Sequence, residues 1–331
     1  MAEKIKAAIF TTNPEQIYRV YGEKRLKQLA EETDLLPGFV TPENFDSMPV
    51  DTIEVGFSTW GMMAFTEDQL DKMPRFKALF YAAGATDAFC RPLLKRNIAV
   101  ISAWLANARP VAEYTLAHIL LGMKNFLTLT NNIRTRGRAG WNKENAGPGC
   151  YGRTVTLIGA GAIATRVEEL LKNFDLNVIT VPSRPERRTI SLEEAFAVSQ
   201  VVSNHLPDRD DNAGVLDKHL FESMPPNAVF INTGRGRQVH EKDLIEVLQK
   251  RPDLTAILDV TYPEPPEEDS PLYKLPNVWL SPHLAGSQND EFRRMADYAM
   301  EDFRNYAAGK PLRYQVTESM LLTSGKGNEK C

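Results

Sequence analysis

Three residues with a joint chemical use stand just beyond three successive apolar, β-branched runs: Arg235 after 228–232, Glu264 after 255–258 and His283 after 277–280. Reduction of a carbonyl needs a hydride donor on one face, a proton donor beside the oxygen, and a cation to fix the substrate and stabilise charge. His283 can give the proton, because a free imidazole titrates near ~6.5. Glu264 can orient the ring, and Arg235 can grip a carboxylate next to the carbonyl with its guanidinium fork. Together they argue for a small 2-oxo acid as substrate and a 2-hydroxy acid as product. Each residue alone also fits a turn or a solvated loop; their convergence on successive strand ends carries the argument. Of the other histidines, His205 sits at the cofactor rim, His219 and His240 read as exposed helix residues, and His118 as a partly buried one. No metal-ligand spacing and no Ser–His–Asp order competes.

The hydride donor is signalled upstream. The run 153–158 reads as a buried strand and passes directly into Gly159-Ala160-Gly161-Ala162-Ile163-Ala164. Val167, Leu170, Leu171 and Phe174 then recur at helical spacing, and 177–181 is a second β-branched run. In such a strand–turn–helix–strand unit the first glycine permits the tight turn and the second lets the backbone approach a pyrophosphate. The third position needs only a small residue, here Ala164. Gly159, Gly161, Ala162 and Ile163 are therefore expected at the cofactor, on the positive end of a helix dipole. At the end of the second strand an acid would accept the adenosine ribose hydroxyls, but Pro182 stands there, followed by Ser183, Arg184, Arg187 and Arg188. A hydroxyl and a guanidinium suit a 2′-phosphate, so NADP is expected over NAD. The plain alternative for Arg184 to Arg188 is a solvated basic loop.

These residues need two α/β frameworks. At 331 residues the chain is long enough for two domains. In the first, runs near 4–10, 53–57, 77–81 and 98–101 alternate with helical patterns, a parallel α/β arrangement of its own. A long helix is expected to open at Arg109-Pro110 and to run on through Leu129, with Pro110 near its start. A last helix is expected over about 289–308, with 317–331 a mobile tail. Trp60, Met62, Met63, Trp104 and Leu105 follow first-domain strands and fit either a pocket wall or core. A net charge of −4 with 43% hydrophobic and 25% charged residues gives no nucleic-acid footprint, and no apolar run is long enough to cross a membrane. Cys90, Cys150 and Cys331 are too scattered for a disulfide framework or a metal site, which points to a reducing, cytoplasmic setting.

Taken in order, Gly159-Ala-Gly-Ala-Ile-Ala, Asn232-Thr-Gly-Arg-Gly, Asp259-Val-x-x-x-Glu-Pro and Pro282-His-x-x-Gly286 resemble the D-isomer-specific 2-hydroxyacid dehydrogenase family. Ala83-Gly84-Ala85-Thr86-Asp87 and Val111-Ala112-Glu113 add to the likeness, which covers roughly residues 50 to 305. The resemblance implies two Rossmann-like, doubly wound parallel-sheet domains with the active site in the cleft between them. A substrate-binding domain would comprise 1–106 plus 286–331, and a dinucleotide-binding domain 107–285. It also implies Arg235 as substrate ligand, Glu264 as partner of the acid/base His283, and backbone N–H groups of Ala83, Gly84 and Ala85 on the substrate carboxylate. Asp259 would sit near the nicotinamide amide, with His205 and Thr233 lining the cofactor. A homodimer would form through the long helix and the arm 134–149. Pro182 departs from the family's usual Asp and matches its NADP-preferring members, such as some glyoxylate/hydroxypyruvate reductases. A dinucleotide-sensing, corepressor-like binding protein stays open on these motifs; a formate- or phosphite-type dehydrogenase resembles the chain less, because formate dehydrogenases of this fold lack an acidic partner for the histidine, whereas Glu264 is present.

Overall fold

In the computed structural model the described residues are 4–141 and 146–324, and they form two compact units. The first opens with β1 (Lys6–Ile9), α1 (Pro14–Glu32), β2 (Asp34–Leu35) and β3 (Val55–Ser58). It continues through α2 (Glu67–Asp71), β4 (Ala78–Tyr81), α3 (Cys90–Lys95) and β5 (Ala99–Ser102). A capping box opens α2: the Thr66 side chain accepts from Gln69 N–H, and the Gln69 side chain accepts from Thr66 N–H. The five strands are all parallel, in the order β2-β1-β3-β4-β5. Successive strand residues feed opposite faces: Ala7, Ile9, Phe57 and Phe80 enter one apolar cluster, Ala8, Phe10, Leu79 and Tyr81 the other. Both faces are covered, as a parallel sheet requires.

α4 (Trp104–Gly122) follows, and the division between the units falls within it, after Asn107. The helix does not open at Arg109-Pro110 as the sequence suggests. Ala106 and Asn107 already donate to the Ala103 carbonyl, so the first turn is built earlier and Pro110 lies inside the helix. Nor does it run unbroken to Leu129. Asn125 adopts φ 51°, and a separate helix α5 (Phe126–Arg136) begins after it. Of the expected arm 134–149, residues 142–145 lie outside the described ones.

The second unit holds β6 (Arg153–Ile158), α6 (Ala162–Leu171), β7 (Leu176–Val181), α7 (Leu192–Val198), β8 (Val201–Asn204) and α8 (Lys218–Ser223). Then come β9 (Val229–Asn232), α9 (Glu241–Lys250), β10 (Thr255–Leu258) and β11 (Val278–Leu280). Its six parallel strands are ordered β11-β10-β9-β8-β6-β7. The order reverses between β6 and β8, the switch point at which open α/β sheets bind ligands beyond their carboxyl ends. One face packs Ile158, Val202, Phe230 and Leu258 under α7 to α9. The other packs Leu157, Val229 and Ile257 against Ala112, Ile119 and Met123 of α4 and Val167 of α6.

The chain then returns to the first unit as α10 (Phe292–Ala307). Its buried residues Phe292, Met295, Ala296, Ala299, Met300 and Phe303 form one helical stripe, and the Phe303 ring meets Phe57 and Phe80 at 5.2 and 5.6 Å. Within the expected tail lies α11 (Glu318–Ser324), whose Leu321 is buried in the first unit's core beside Val316, just upstream of the tail. Residues 325–331, Cys331 among them, lie outside the described set. Among the described residues no helix is long and apolar enough to cross a membrane, and no cluster of ligands could hold a metal ion.

Candidate active site

The ends of β9, β10 and β11, three neighbouring strands, carry Arg235, Asp259 with Glu264, and His283. His283 Nδ1 lies 2.7 Å from Glu264 Oε1. A carboxylate only accepts, so Nδ1 carries the proton and Nε2 is the nitrogen left for chemistry. Both side chains are about half-exposed, at 50% and 41%. The pair is thus reachable by a substrate rather than sealed in the core.

Asp259 builds the seat of that histidine. Its carboxylate is buried and accepts from Ser281 Oγ at 2.6 Å, Leu284 N–H at 2.8 Å and Ala285 N–H at 2.9 Å. Its carbonyl and that of Ser281 both accept the His283 N–H. These bonds wrap 281–285 into a tight turn with His283 at φ 51°, a left-handed conformation that costs a non-glycine residue about 1–2 kcal/mol. Because Ser281 Oγ donates to Asp259, it must accept from Tyr114 Oη, 2.7 Å away on α4. The Tyr114 ring also packs on the His118 ring, tilted by 36°, and His118 Nδ1 meets the Tyr114 carbonyl at 2.9 Å.

Arg235 is held between two glycines for steric reasons. A Cβ on Gly236 would stand 1.9 Å from the Thr261 backbone, and one on Gly234 would stand 2.8 Å from the Asn204 and Gln238 amides. The loops after β9 and β10 therefore touch. Beneath them Asn204, Asn232 and Gln238 are buried and mutually bonded: Asn204 Nδ2 donates to Asn232 Oδ1 and Gln238 Oε1. Gly234 N–H and Arg235 N–H bond to the same two oxygens, so this amide cluster fixes the backbone that presents the guanidinium. The guanidinium donates from Nη1 to the Gly234 carbonyl, with Nε 3.9 Å from Asp208.

At the switch point Gly159 has φ 107°, and a Cβ there would come within 2.5 Å of the His205 carbonyl. Only glycine permits the turn. Gly161 opens on free space and caps α6 with no side chain on the first N–H groups of Ala162 and Ile163. That is the cradle a pyrophosphate needs: room for close approach and an uncapped helix N-terminus. His205 is buried, with Nε2 3.0 Å from Ser203 Oγ and Nδ1 3.2 Å from Thr233 Oγ1. Burial pushes its pKa down to about 3, so it lines the rim as a neutral ring. His219 and His240 are exposed, and His240 pairs with Asp243.

Beyond β7, Ser183 and Arg184 are half-buried, and Arg188 turns back to donate to the carbonyls of Pro182 and Ser183. Arg209, from the loop after β8, reaches Ser183 Oγ at 3.3 Å. Nothing local in the sequence places Arg209 there, since it arrives from another strand. In the first unit the turn 82–84 after β4 is fixed by hydroxyls, Thr59 donating to the Ala82 carbonyl and Ser102 to those of Ala83 and Gly84. Ala85 follows that turn. Trp60 packs edge-on to Phe292, Trp104 to Tyr314, and Met63 is buried, so these are core contacts; Leu105 is exposed and Met62 lies partly buried against the core.

Residues 116–285, more than half of the chain, match the family model of the D-isomer specific 2-hydroxyacid dehydrogenase NAD-binding domain. The chain belongs to the D-isomer specific 2-hydroxyacid dehydrogenase family. This dehydrogenase-family chain is 35% identical to the Bacillus subtilis (strain 168) protein YoaD over 206 residues, which span 58% of this chain and 59% of that one. It is 32% identical to the glyoxylate reductase of Aeropyrum pernix over 213 residues, 60% of this chain and 63% of the relative. The match thus spans less than two thirds of either relative's length. In fold it is similar to Rhodotorula graminis D-mandelate dehydrogenase, with a TM-score of 0.78, 18% identity and coverage of 95% of this chain and 98% of that one. The two units are the two parallel-sheet, Rossmann-like domains of this family, and the second is its NAD-binding domain.

Proposed function

We propose that the chain is an NAD(P)-dependent reductase of a small 2-oxo acid, forming the D-2-hydroxy acid, with NADP preferred. The observation that carries this reading is the His283–Glu264 pair at 2.7 Å on the same rim as the glycine cradle. Bound NAD(P)H supplies the hydride. The chain's residues do the rest: Arg235 binds the substrate carboxylate and orients the carbonyl, and His283 gives a proton from Nε2 to the carbonyl oxygen as the alcohol forms. Glu264 holds the imidazole in the tautomer that exposes Nε2 and balances its charge when protonated. Gly159, Gly161, Ala162 and Ile163 would hold the pyrophosphate, Thr233 and His205 the rim, and Asp259 the nicotinamide amide through its remaining lone pair. Ser183 and Arg184 would take the 2′-phosphate.

Similarity to a glyoxylate reductase supports a small substrate. The test is to follow nicotinamide absorbance with NADPH or NADH while adding glyoxylate, hydroxypyruvate, pyruvate and a bulkier 2-oxo acid. Oxidation of the cofactor with any of them supports the reading. Tight cofactor binding with no turnover on the whole panel overturns it in favour of a dinucleotide sensor. We also propose a homodimer through α4 and α5: α5 buries none of its residues, and Phe126 is 46% exposed, a face suited to a second copy. Light scattering at micromolar concentration would show one mass or two.

A further inference from the structure

The strand end that should meet the adenosine ribose holds a charge that position 182 does not reveal. Pro182 supplies no acid, yet the loop after β8 brings a carboxylate to the same place. Asp211 accepts from Arg209 Nε at 2.7 Å and Nη2 at 2.8 Å, and Arg184 Nη1 lies 3.4 Å from its Oδ2. The two arginines are held differently. Arg209 is only 5% exposed, locked by the bidentate pair and by Ser183 Oγ. Arg184 is joined by one long contact, and its side chain is 38% exposed, free to swing to another anion. The Arg209 guanidinium holds the Asp211 carboxyl below its usual range, so the charge is present at neutral pH.

We propose that Asp211 is a cofactor-selectivity residue: an internal counter-anion that partly neutralises the Ser183–Arg184–Arg209 cluster and so moderates the preference for NADPH over NADH. A 2′-phosphate must compete with this carboxylate for Arg184 and Arg209, and it meets the carboxylate's like charge at close range. A 2′-hydroxyl carries no charge and can donate to the same carboxylate, as it would to the acid absent from position 182. The charge of Asp211 thus penalises one cofactor and not the other. This inference rests on the cofactor reading above, and only on the 2′ end of that site.

The test is binding, read by fluorescence or calorimetry on the full chain, with NADPH, NADH, 2′,5′-ADP and 5′-AMP as probes. Asp211→Asn keeps the shape and one acceptor for Arg209 while removing the charge. The variant should bind NADPH and 2′,5′-ADP roughly three- to tenfold more tightly, the weight of one nearby unit charge in a partly solvated site. NADH and 5′-AMP should bind equally well or more weakly. Weaker NADPH binding, or the same shift for all four probes, would overturn the proposal and make Asp211 a brace for Arg209. Asp211→Ser, which removes the Arg209 pairing as well, should raise the NADPH:NADH ratio in the same direction; a fall would count against the counter-anion role. If the unaltered chain binds neither dinucleotide, the cofactor reading itself fails. If it binds both and the variants leave the ratio untouched, the Asp211 proposal fails alone.

Discussion

The backbone N–H of His283 donates to the carbonyl oxygen of Asp259 at 3.0 Å, while the Asp259 carboxylate takes the N–H groups of the two residues that follow the histidine. A buried side chain on one strand end therefore shapes the turn that presents the imidazole on the next. Orientation of the ring comes from two directions: Glu264 fixes Nδ1 from the loop beyond β10, and Asp259 fixes the backbone from below. Replacing both would be needed to free the ring, and replacing either should show which contribution matters for turnover.

His283→Ala should lower kcat/KM by about 10²- to 10⁴-fold with cofactor affinity and stability little changed. Glu264→Gln keeps an oxygen for Nδ1–H but not the charge, and should cost about tenfold through the protonated ring alone. Steady-state kinetics beside a cofactor titration check both. Retained turnover in His283→Ala would sink its assignment as acid/base.

Ser281→Ala should do more than Tyr114→Phe, because Ser281 relays one bond to Asp259 and receives another from Tyr114. Tyr114→Phe removes one neutral hydrogen bond, about 0.5–1.5 kcal/mol in urea denaturation. Ser281→Ala removes two and strips a donor from a buried carboxylate, so it should cost more than that and lower kcat as well. Equal effects would mean that the Tyr114–Ser281 contact does not reach the His283 turn.

Two glycines should separate stability from binding. A Cβ at Gly236 meets the Thr261 backbone at 1.9 Å, which neither strand end can yield, so Gly236→Ala should cost about 2 kcal/mol or more in stability. A Cβ at Gly161 meets nothing within 4 Å, and its φ of −90° suits alanine. Gly161→Ala should therefore lose less than about 1 kcal/mol of stability yet bind the dinucleotide at least about tenfold more weakly. Thermal melts and titrations on the same two preparations decide the matter.

What could be read in advance follows sequence distance. The glycine turn, its flanking strands and the helix after it are local, carried by the twelve residues Arg153 to Ala164 and the stripe that follows, so spacing alone outlines them. The strand ends bearing Arg235, Glu264 and His283 were visible because each follows an apolar run closely. The Asn204–Asn232–Gln238 cluster was not: its members are 28 and 34 residues from Asn204, and a buried amide looks like any surface amide until strands pair. Asp211 and Arg209 are hidden for the same reason, since only the pairing of β6 with both β7 and β8 brings their loop beside Ser183. Helix limits failed differently. Pro110 resembles a helix start by local preference, but the bonds to Ala103 start α4 earlier and leave the proline inside the helix, where it offers no N–H to the Ala106 carbonyl.

His205 should make the chain acid-sensitive in a defined window. Burial keeps its folded-state pKa near 3, whereas in the unfolded chain an imidazole takes up a proton below about 6.5. Between those values the unfolded state binds the extra proton, so the slope of stability against pH is positive. Stability falls as pH is lowered through 6.5, by up to about 1.4 kcal/mol per unit, and this loss levels off near pH 3. His205→Gln retains groups able to bond Ser203 and Thr233 but cannot titrate. Denaturant unfolding at pH 7 and pH 5 should show the unaltered chain losing roughly 2 kcal/mol more than the variant over that interval. Parallel losses in the two proteins would mean that the ring accepts a proton within the fold.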